Sequence, residues 1–592
     1  MDKRWVLKEQ GEEAKIQHLS QVLNIDHNLA NLLVQRGIST FEEARSFFRP
    51  SLQELHDPFL MKDMQKAVDR IQVALDNNEK ILVYGDYDVD GTTAVSLVYT
   101  FLKSIYDNVE FYIPDRYDEG YGISYKSIDF AAEHGFSLVI VLDCGIKAVE
   151  KIKYAKSKQI DYIIADHHRP GEEFPQAVAV LDPKRPDCEY PYEDLSGCGV
   201  GFKLVQAFAA KKGIPFEELT TYLDLVVVSI ASDIVKITGE NRILAHFGLK
   251  LINTRPRPGI EAILKFSGIN RKVDSPIDDS EHIFTKDLTI SDLVFLVGPR
   301  INAAGRIESA NNSVELLVAK TLEDAEKLAE TINNFNTERK DLDAQTTFEA
   351  TEMIKNSLEL SKTKSTIVYH PEWHKGVIGI VASRLIETYY RPTIVLTKSN
   401  GLITGSARSV KDFDIYDAVD ACSDLLEHFG GHKYAAGLSL KPENLDLFKD
   451  RFEAFVSENI THIMQTPEIE VDARICLNDI TKKFFKVLKQ FAPFGPGNMS
   501  PVFISENLID TGSGRIVGKN HLKLEVVHKE IRGYPIPAIA FQQADHLDNI
   551  IHNRPFHVCY SIEENEWNGV VSLQLNVKDI KPAVEDEPFF KD

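Results

Sequence analysis

Four groups of residues could do chemistry together: Asp86, Asp88 and Asp90 in ILVYGDYDVDG, Asp143 in VLDCG, Asp166, His167 and His168 in ADHH, and Asp233 in ASD. Acids packed this densely repel, and each raises its neighbours' pKa unless a cation sits among them. A solvated acidic turn is the simplest account of any one cluster. A calcium loop is the second account of Asp86, Asp88 and Asp90, since D-x-D-x-D-G opens the EF-hand pattern. That pattern fails at its twelfth position, Leu97 instead of Glu, and an apolar run rather than a helix precedes it. Carboxylates joined by one or two imidazoles suit Mn2+ or Mg2+, and no cysteine cluster invites a thiolate-seeking metal. Two such ions ~3.5–4 Å apart, bridged by a shared Asp and a water, are a standard device for attacking phosphorus. The residue types therefore point to two-metal phosphoester hydrolysis.

Such acids need a rigid frame. Short apolar runs at 81–84, 109–113, 138–142, 162–165 and 177–181 alternate with helix-length segments at 94–106, 127–134 and 148–158. This predicts a doubly wound, mainly parallel sheet, in which ligands sit beyond the carboxyl ends of the strands. Gly85 is expected to turn the chain sharply after the first run, with Asp86, Asp88 and Asp90 alternating beyond it. The first, third and fourth runs end in the candidate acids and imidazoles, and the apolar segment 223–231 ends in Ser232-Asp233. A strand-end Asp is often only a cap, and a His pair is often surface. Four such endings at one edge of one sheet argue for a site.

The 592 residues exceed one core, and ~150 residues per domain suggests three or four units. No run of 18 apolar residues could span a bilayer, and the start lacks the apolar core of a signal peptide, so a cytoplasmic protein is expected. Six cysteines, at 144, 188, 198, 422, 476 and 559, form no CxxC pair and read as core or incidental thiols. The net charge of −22 counts mildly against a nucleic-acid partner. A metal-dependent nuclease, however, concentrates acids at its centre and needs bases only along one groove.

Outside this frame, residues 1–70 read as helical, with Ser39 or Thr40 as an N-cap. Residues 321–360 read as one long helix with Thr321 and Asp324 resembling a capping box, and a sustained coiled-coil repeat is absent. A second globule places Gly376-Val377-Ile378-Gly379 at a helix start, a natural anion seat. Gly405–Ser409 and Gly430-Gly431-His432 read as two more small-residue loops. The last region alternates apolar and polar residues in HLKLEVV, FHVCYSI and VVSLQLNV, as a small barrel or sandwich does. There Arg515, Lys519, His521 and Lys523 are the candidates for tracking a strand. Gly518-Lys519 is not a phosphate-binding Walker loop, because Asn520 replaces Ser or Thr.

GDYDVDG, VLDCG, ADHH and ASD, in this order, resemble the four motifs of the DHH phosphoesterase family. GPRINAAGRI (298–307), WHKGVIGIVASRL (373–385), GSARS (405–409), GGHKYAAGLSL (430–440) and APFGPGNMSPVF (492–503) resemble its bacterial single-strand-specific exonucleases more than its shorter relatives. The resemblance runs from about 65 to 580, and Cys144 departs from it where a small polar residue is expected. It implies an α/β multidomain chain: an N-terminal helical region (1–70), a DHH catalytic domain with the doubly wound sheet (71–318) and a long connector helix (319–362). A smaller α/β DHH-associated domain (363–462), an OB-like barrel (463–580) and an acidic tail (581–592) follow.

By position, the resemblance implies two divalent metal ions, Mn2+ or Mg2+, held by Asp88, Asp90, Asp143, His167 and Asp233, with Asp143 bridging and Asp86 a further ligand or an orienting group. It implies that Asp166 orients His167 and that His168 faces the phosphate as charge stabiliser or proton donor. Arg116, Arg300, Arg306, Ser406, Arg408, Gly430, Gly431 and His432 would hold the 5′ end and backbone. The implied activity is 5′-to-3′ degradation of single-stranded DNA in recombination and repair, by a monomer working with single-strand-binding protein and a helicase. Two alternatives stay open: a phosphodiesterase of short oligoribonucleotides or cyclic dinucleotides, and an inactive DHH scaffold.

Overall fold

Five strands are apolar along almost their whole length because both faces of their sheet are covered. In the computed structural model these are β1 (Lys80–Gly85), β2 (Val109–Tyr112), β3 (Phe136–Leu142), β4 (Asp161–Ala165) and β5 (Ala179–Leu181). The structure describes residues 2–272, 282–357, 362–552, 554–567 and 570–583, so the tail from 584 onward lies outside it. All five strands are parallel, in the order β2-β1-β3-β4-β5. The chain leaves β1 toward β2 on one side and returns to β3 on the other. Their carboxyl ends therefore flank the crevice where a doubly wound sheet takes its ligand.

Helices α1 (Val89–Ile105), α2 (Gly197–Lys212) and α3 (Leu223–Ser232) contribute to the core on one face. The helices Tyr125–Glu133 and Val149–Ser157 cover the other. Two expectations need correction. Segment 223–231 is not a strand but helix α3. Every residue from Leu223 to Ala231 is buried, and a helix buried all round reads as unbroken apolar sequence, like a central strand. Nor does Gly85 turn the chain: it ends β1 in an ordinary conformation, and a Cβ there would lie 2.5 Å from Val95 Cγ2. It is a close-approach glycine that lets α1 pack onto β1.

Helix α4 (Leu322–Asn356) leads to the second lobe, and Thr321 caps it through Asp324 N–H at 3.2 Å. That lobe has β6 (Thr366–Tyr369), helix α5 (Ile378–Tyr389), β7 (Thr393–Ser399), β8 (Leu402–Arg408), β9 (Leu426–His432) and β10 (Ala435–Leu440). Its sheet order is β9-β10-β8-β7-β6. Strands β11 (Phe503–Asp510), β12 (His521–His528), β13 (Ile536–Ala540), β14 (Phe556–Trp567) and β15 (Val570–Pro582) follow. Pairing of β11 with both β14 and β12 closes the ring β11-β14-β15-β13-β12 into a barrel. Closure leaves these strands without a free sheet edge.

The N-terminal region is helical at Glu13–Leu23, His27–Val34 and Phe41–Phe48, and Thr40 with Glu43 forms a complete capping box. It is not wholly helical. Arg4–Leu7 is a strand, parallel to Glu468–Val471, and four residues carry too little pattern to be read. The first helices share a core with the barrel: Ile16, Leu19, Leu29 and Leu33 pack in the cluster that contains Phe491, Phe503 and Phe556. The Arg242 guanidinium knits these parts to the lobe built on the parallel sheet. It donates to the carbonyls of Phe47 (3.0 Å), Phe491 (2.9 Å) and Ala492 (3.0 Å) and lies over the Phe47 ring.

Candidate metal centre and phosphate face

The loop after β1 does not alternate like a strand; it winds into α1. Asp86 is buried, Asp88 is the N-cap of α1 with its Oδ1 accepting from Gly91 N–H at 3.0 Å, and Asp90 lies in the first turn. Asp90 is gripped from two further helices. Its oxygens accept from the N–H groups of Gly197 and Cys198, both at 2.7 Å, at the start of α2, and from the Ser229 hydroxyl of α3 at 2.7 Å. A helix N-terminus favours a carboxylate there, since its first N–H groups lack partners within the helix. Gly197 also makes room for Asp143: a Cβ on it would fall 2.6 Å from Asp143 Oδ1.

Asp143 follows β3 with a left-handed φ of 60°, pinned by its own N–H to the Ala165 carbonyl at 3.0 Å. Strain of this kind persists where the surroundings overdetermine it. His167 places Nδ1 3.0 Å from the Leu195 carbonyl, which can only accept, so Nδ1 carries the proton and Nε2 is bare. That Nε2 lies 3.2 Å from Asp143 Oδ1, 3.6 Å from Asp233 Oδ2 and 3.7 Å from Asp90 Oδ2. Asp233 reaches the cluster from the C-cap of α3.

The expected role of Asp166 toward His167 is corrected by this geometry. The Leu195 carbonyl holds the His167 ring, whereas Asp166 Oδ1 accepts from His168 Nδ1 at 2.8 Å and from the backbone N–H groups of both histidines. Its Oδ2 accepts from Ile146 N–H at 2.9 Å. Residue types alone cannot say which ring of an adjacent pair turns toward a carboxylate.

The electrostatics follow from burial. Desolvation, reinforced by Asp88, drives the Asp86 pKa well above the usual carboxylate range, and desolvation with Asp90 and Asp88 does the same to Asp143. Asp88 is raised by desolvation and by Asp90, and Asp233 is pushed up to about 8 by desolvation, Asp90 and Asp88. Burial lowers His167, keeping it neutral. His168 is the exception: burial pulls its pKa down, but the hydrogen bond and charge of Asp166 win and hold it at about 9.

Such a centre fits cations. Asp86, Asp88 and Asp143 bring oxygens within 4.8 Å of one another, as do the ligand atoms of Asp90, His167 and Asp233. Buried Asp86 Oδ1, Asp143 Oδ1 and His167 Nε2 lack hydrogen-bond partners. Buried acceptors brought together without donors suit a bound cation, which would satisfy them.

The chain matches the DHH family, N-terminal domain, over residues 80–230, the DHHA1 domain over 362–458 and the RecJ OB domain over 471–579. It is 36% identical to the single-stranded-DNA-specific exonuclease RecJ of Bacillus subtilis, across 97% of this chain and 70% of that protein. To the Escherichia coli protein of the same name it is 31% identical, across 94% of this chain and 96% of that one. The chain belongs to the RecJ family. Among solved structures, RecJ of Thermus thermophilus in complex with Mn2+ has the same fold, with a TM-score of 0.81 at 24% identity over 98% of this chain and 80% of that one. A structure of exonuclease RecJ bound to manganese superposes with a TM-score of 0.58 at 28% identity, over 69% of this chain and 97% of that one.

In this RecJ-family chain the second lobe turns a different surface toward the catalytic lobe. Gly405–Ser409 and Gly430–His432 are not loops, as their small residues suggested, but lie largely within β8 and β9. Glycine weakens a strand signal while permitting close backbone approach. Register makes rows of them: Ser406 pairs with Gly437 and that with Gly430, while Arg408 pairs with Ala435 and that with His432. Paired residues share one face, so a floor of small residues runs between Ser406 and Arg408 on one side and His432 on the other. Arg408 NH1 donates to Ser406 Oγ at 3.0 Å. The first turn of α5 abuts both, since a Cβ on Gly379 would sit 3.0 Å from either.

Arg306 joins the lobes by donating to the Gly376 carbonyl at 2.8 Å. Burial and the charges of Arg116, Arg339 and Arg408 pull its pKa down to about 10, so these guanidinium groups lie near one another, with Arg339 also paired to Asp343 at 3.9 Å. Arg116 lies over the Tyr87 ring at 4.7 Å. Arg300 does not join them. Its guanidinium serves the interior, donating to Asn333 Oδ1 (3.1 Å) and to the Leu296 (2.8 Å) and Phe266 (3.3 Å) carbonyls. On the barrel Arg515 and Lys523 are cross-strand neighbours, and His521 meets Phe541 edge-on at 5.3 Å.

Sequence reading missed Leu195, the α2 start, Ser229 and Tyr121. Ser196-Gly197-Cys198-Gly199 did carry a signal, a serine cap before small residues at a helix start. A backbone carbonyl such as that of Leu195 leaves none. Tyr121 Oη lies 3.3 Å from His168 Nε2.

Proposed function

We infer that this chain is a metal-dependent exonuclease that degrades single-stranded DNA from its 5′ end. The observation that carries the reading is the convergence of Asp86, Asp88, Asp90, Asp143, His167 and Asp233 at one sheet edge, with orphaned acceptor atoms among them. Relatives named single-stranded-DNA-specific exonuclease, matched over nearly the whole chain, supply the substrate class.

Asp88, Asp90, Asp143, His167 and Asp233 would hold two divalent cations, Mn2+ or Mg2+, with Asp86 completing or orienting the set. When bound, such ions supply Lewis acidity toward the phosphate oxygens and lower the pKa of the attacking water. The chain does the rest. Leu195 fixes the His167 tautomer, and the α2 N-terminus with Ser229 fixes Asp90. His168, with Nδ1 engaged by Asp166, keeps its Nε2 proton for the phosphate or the leaving oxygen. Arg116, Arg306, Ser406, Arg408 and the Gly430-Gly431-His432 row receive the 5′ end. Cleavage a fixed step from that anchored end proceeds inward, which accounts for 5′-to-3′ polarity.

Single-strand-binding protein and a helicase are the proposed partners in recombination and repair, and the cytoplasm the proposed compartment. Among the described residues no helix is long and apolar enough to cross a membrane. The proposed state is a monomer, because one chain supplies both walls of the cleft; a dimer mass in light scattering would contradict it.

The test is a Mn2+ time course on single-stranded DNA labelled at its 3′ end, beside a 5′-blocked copy, a duplex and a short oligoribonucleotide. A shrinking ladder on the free strand alone is expected. Cleavage confined to the oligoribonucleotide, or of no substrate, overturns the reading.

A further inference from the structure

Ile234 directly follows Asp233 and adopts a φ of 58°. The other non-glycine residues with positive φ among the described residues are Asn, Asp, Gln, Tyr or His, and Ile234 alone is β-branched. In the left-handed region a branched Cβ crowds the following carbonyl, which is why the residue past a helix end is usually Gly or Asn. Packing does not offset this strain, because Ile234 is 67% exposed. A branched, apolar, solvent-facing side chain at a site where glycine would sit without strain calls for a contact that the free protein lacks.

Its position says where that contact lies. The Asp233 side chain is 28% exposed against 3% for Asp143 and 1% for Asp90, so the metal centre opens to solvent beside Asp233. The charge of Lys184 bears on Asp233, and Lys236, paired with Asp194 at 3.1 Å, stands two residues past Ile234. A strand with its phosphate at the centre would reach solvent through this mouth, and what lies beside a phosphate along a strand is a nucleoside. The protein offers it an uncharged branched side chain.

We propose that Ile234 is a substrate-positioning residue, packing against the base of the nucleotide next to the scissile phosphate. The inference rests on the exonuclease reading and adds a contact outside the ligands and the phosphate face. The left-handed backbone is what presents the side chain outward immediately after a ligand at the helix end. Contact of this kind tolerates any sequence, since every base has an apolar face.

The experiment compares the full-length wild type with Ile234→Gly and Ile234→Leu, measuring steady-state cleavage of single-stranded DNA, melting temperature and Mn2+ half-saturation. An abasic nucleotide is placed at successive positions near the 5′ end. Ile234→Gly is expected to raise the melting temperature yet lower kcat/KM about tenfold, the scale of one base contact. Its Mn2+ half-saturation should stay within about twofold, and Ile234→Leu should retain most activity. The abasic strand should be a poorer substrate for the wild type at one position and not for Ile234→Gly. Unchanged kcat/KM in Ile234→Gly, an abasic penalty undiminished by it, or a loss that tracks weakened Mn2+ binding would each overturn the proposal. A wild type inert on every strand would instead sink the exonuclease reading, and this contact with it.

Discussion

At the metal centre Asp90 is held by two backbone N–H groups and a hydroxyl from two helices. On the second lobe the partners of Arg408 NH1 among the described residues are Ser406 Oγ and the neighbouring Ala407 carbonyl. The first group sits in a buried cage that fixes its position whether or not anything is bound. The second lies in the row Arg408–Ala435–His432, whose last residue is exposed on an edge strand beside the Ser406–Gly437–Gly430 row. A cation site must be held within tenths of an ångström because ligand distances are short, whereas a phosphate seat works through charges and N–H groups that tolerate sliding. A centre proposed to cut and a face proposed to let the strand advance would need these opposite properties.

The comparison breaks most sharply at Asp143. Asp143→Ala should lower cleavage by about 10³-fold or more while leaving strand affinity within a few-fold, because the arginine face is untouched. Cleavage near the normal rate, checked beside binding by fluorescence anisotropy, would move the centre elsewhere. Arg408→Ala is expected to act the other way, weakening kcat/KM on 5′-phosphorylated strands by roughly 10–100-fold through KM. The Mn2+ dependence should not move, and an intact preference for a 5′ phosphate would remove Arg408 from that role.

Ser229→Ala sharpens the claim that the cage matters. It deletes one of three donors to Asp90 and should cost about tenfold in Mn2+ affinity, within the range for groups that orient ligands. The smallest effect concerns pH. Asp233 is held at about 8 in the metal-free fold, above the carboxylate range of an unfolded chain, so the fold keeps a proton that the unfolded chain loses. Metal-free stability should therefore fall as pH rises toward 8. Mn2+ competes with that proton, so the melting-temperature gain on adding Mn2+ should be a few degrees larger at pH 8.5 than at pH 6. A gain independent of pH would show that these carboxylates are already ionised without metal.

Much of the centre was legible in the chain. Strand-helix alternation with acids after β1, β3 and β4 identifies a doubly wound sheet, because buried parallel strands are apolar from end to end and their ligands gather at the switch point. An N-cap at Ser39 or Thr40 and the long connector helix were equally plain, since both are local; that Thr40 is the cap, completed by Glu43, came from the structure. Tertiary structure alone decided the rest. Leu223–Ser232 is a helix buried on every side from Leu223 to Ala231, which erases the periodicity that separates helix from strand. The Leu195 carbonyl, rather than Asp166, holds His167, and a backbone carbonyl has no signature in sequence. Arg300 turns inward while Arg306 and Arg408 converge, although all three are arginines in or beside glycine-rich motifs. Residue type and spacing determine which groups can bind metal and phosphate. Which partner each one faces depends on contacts hundreds of residues apart, and only the packed chain chooses among them.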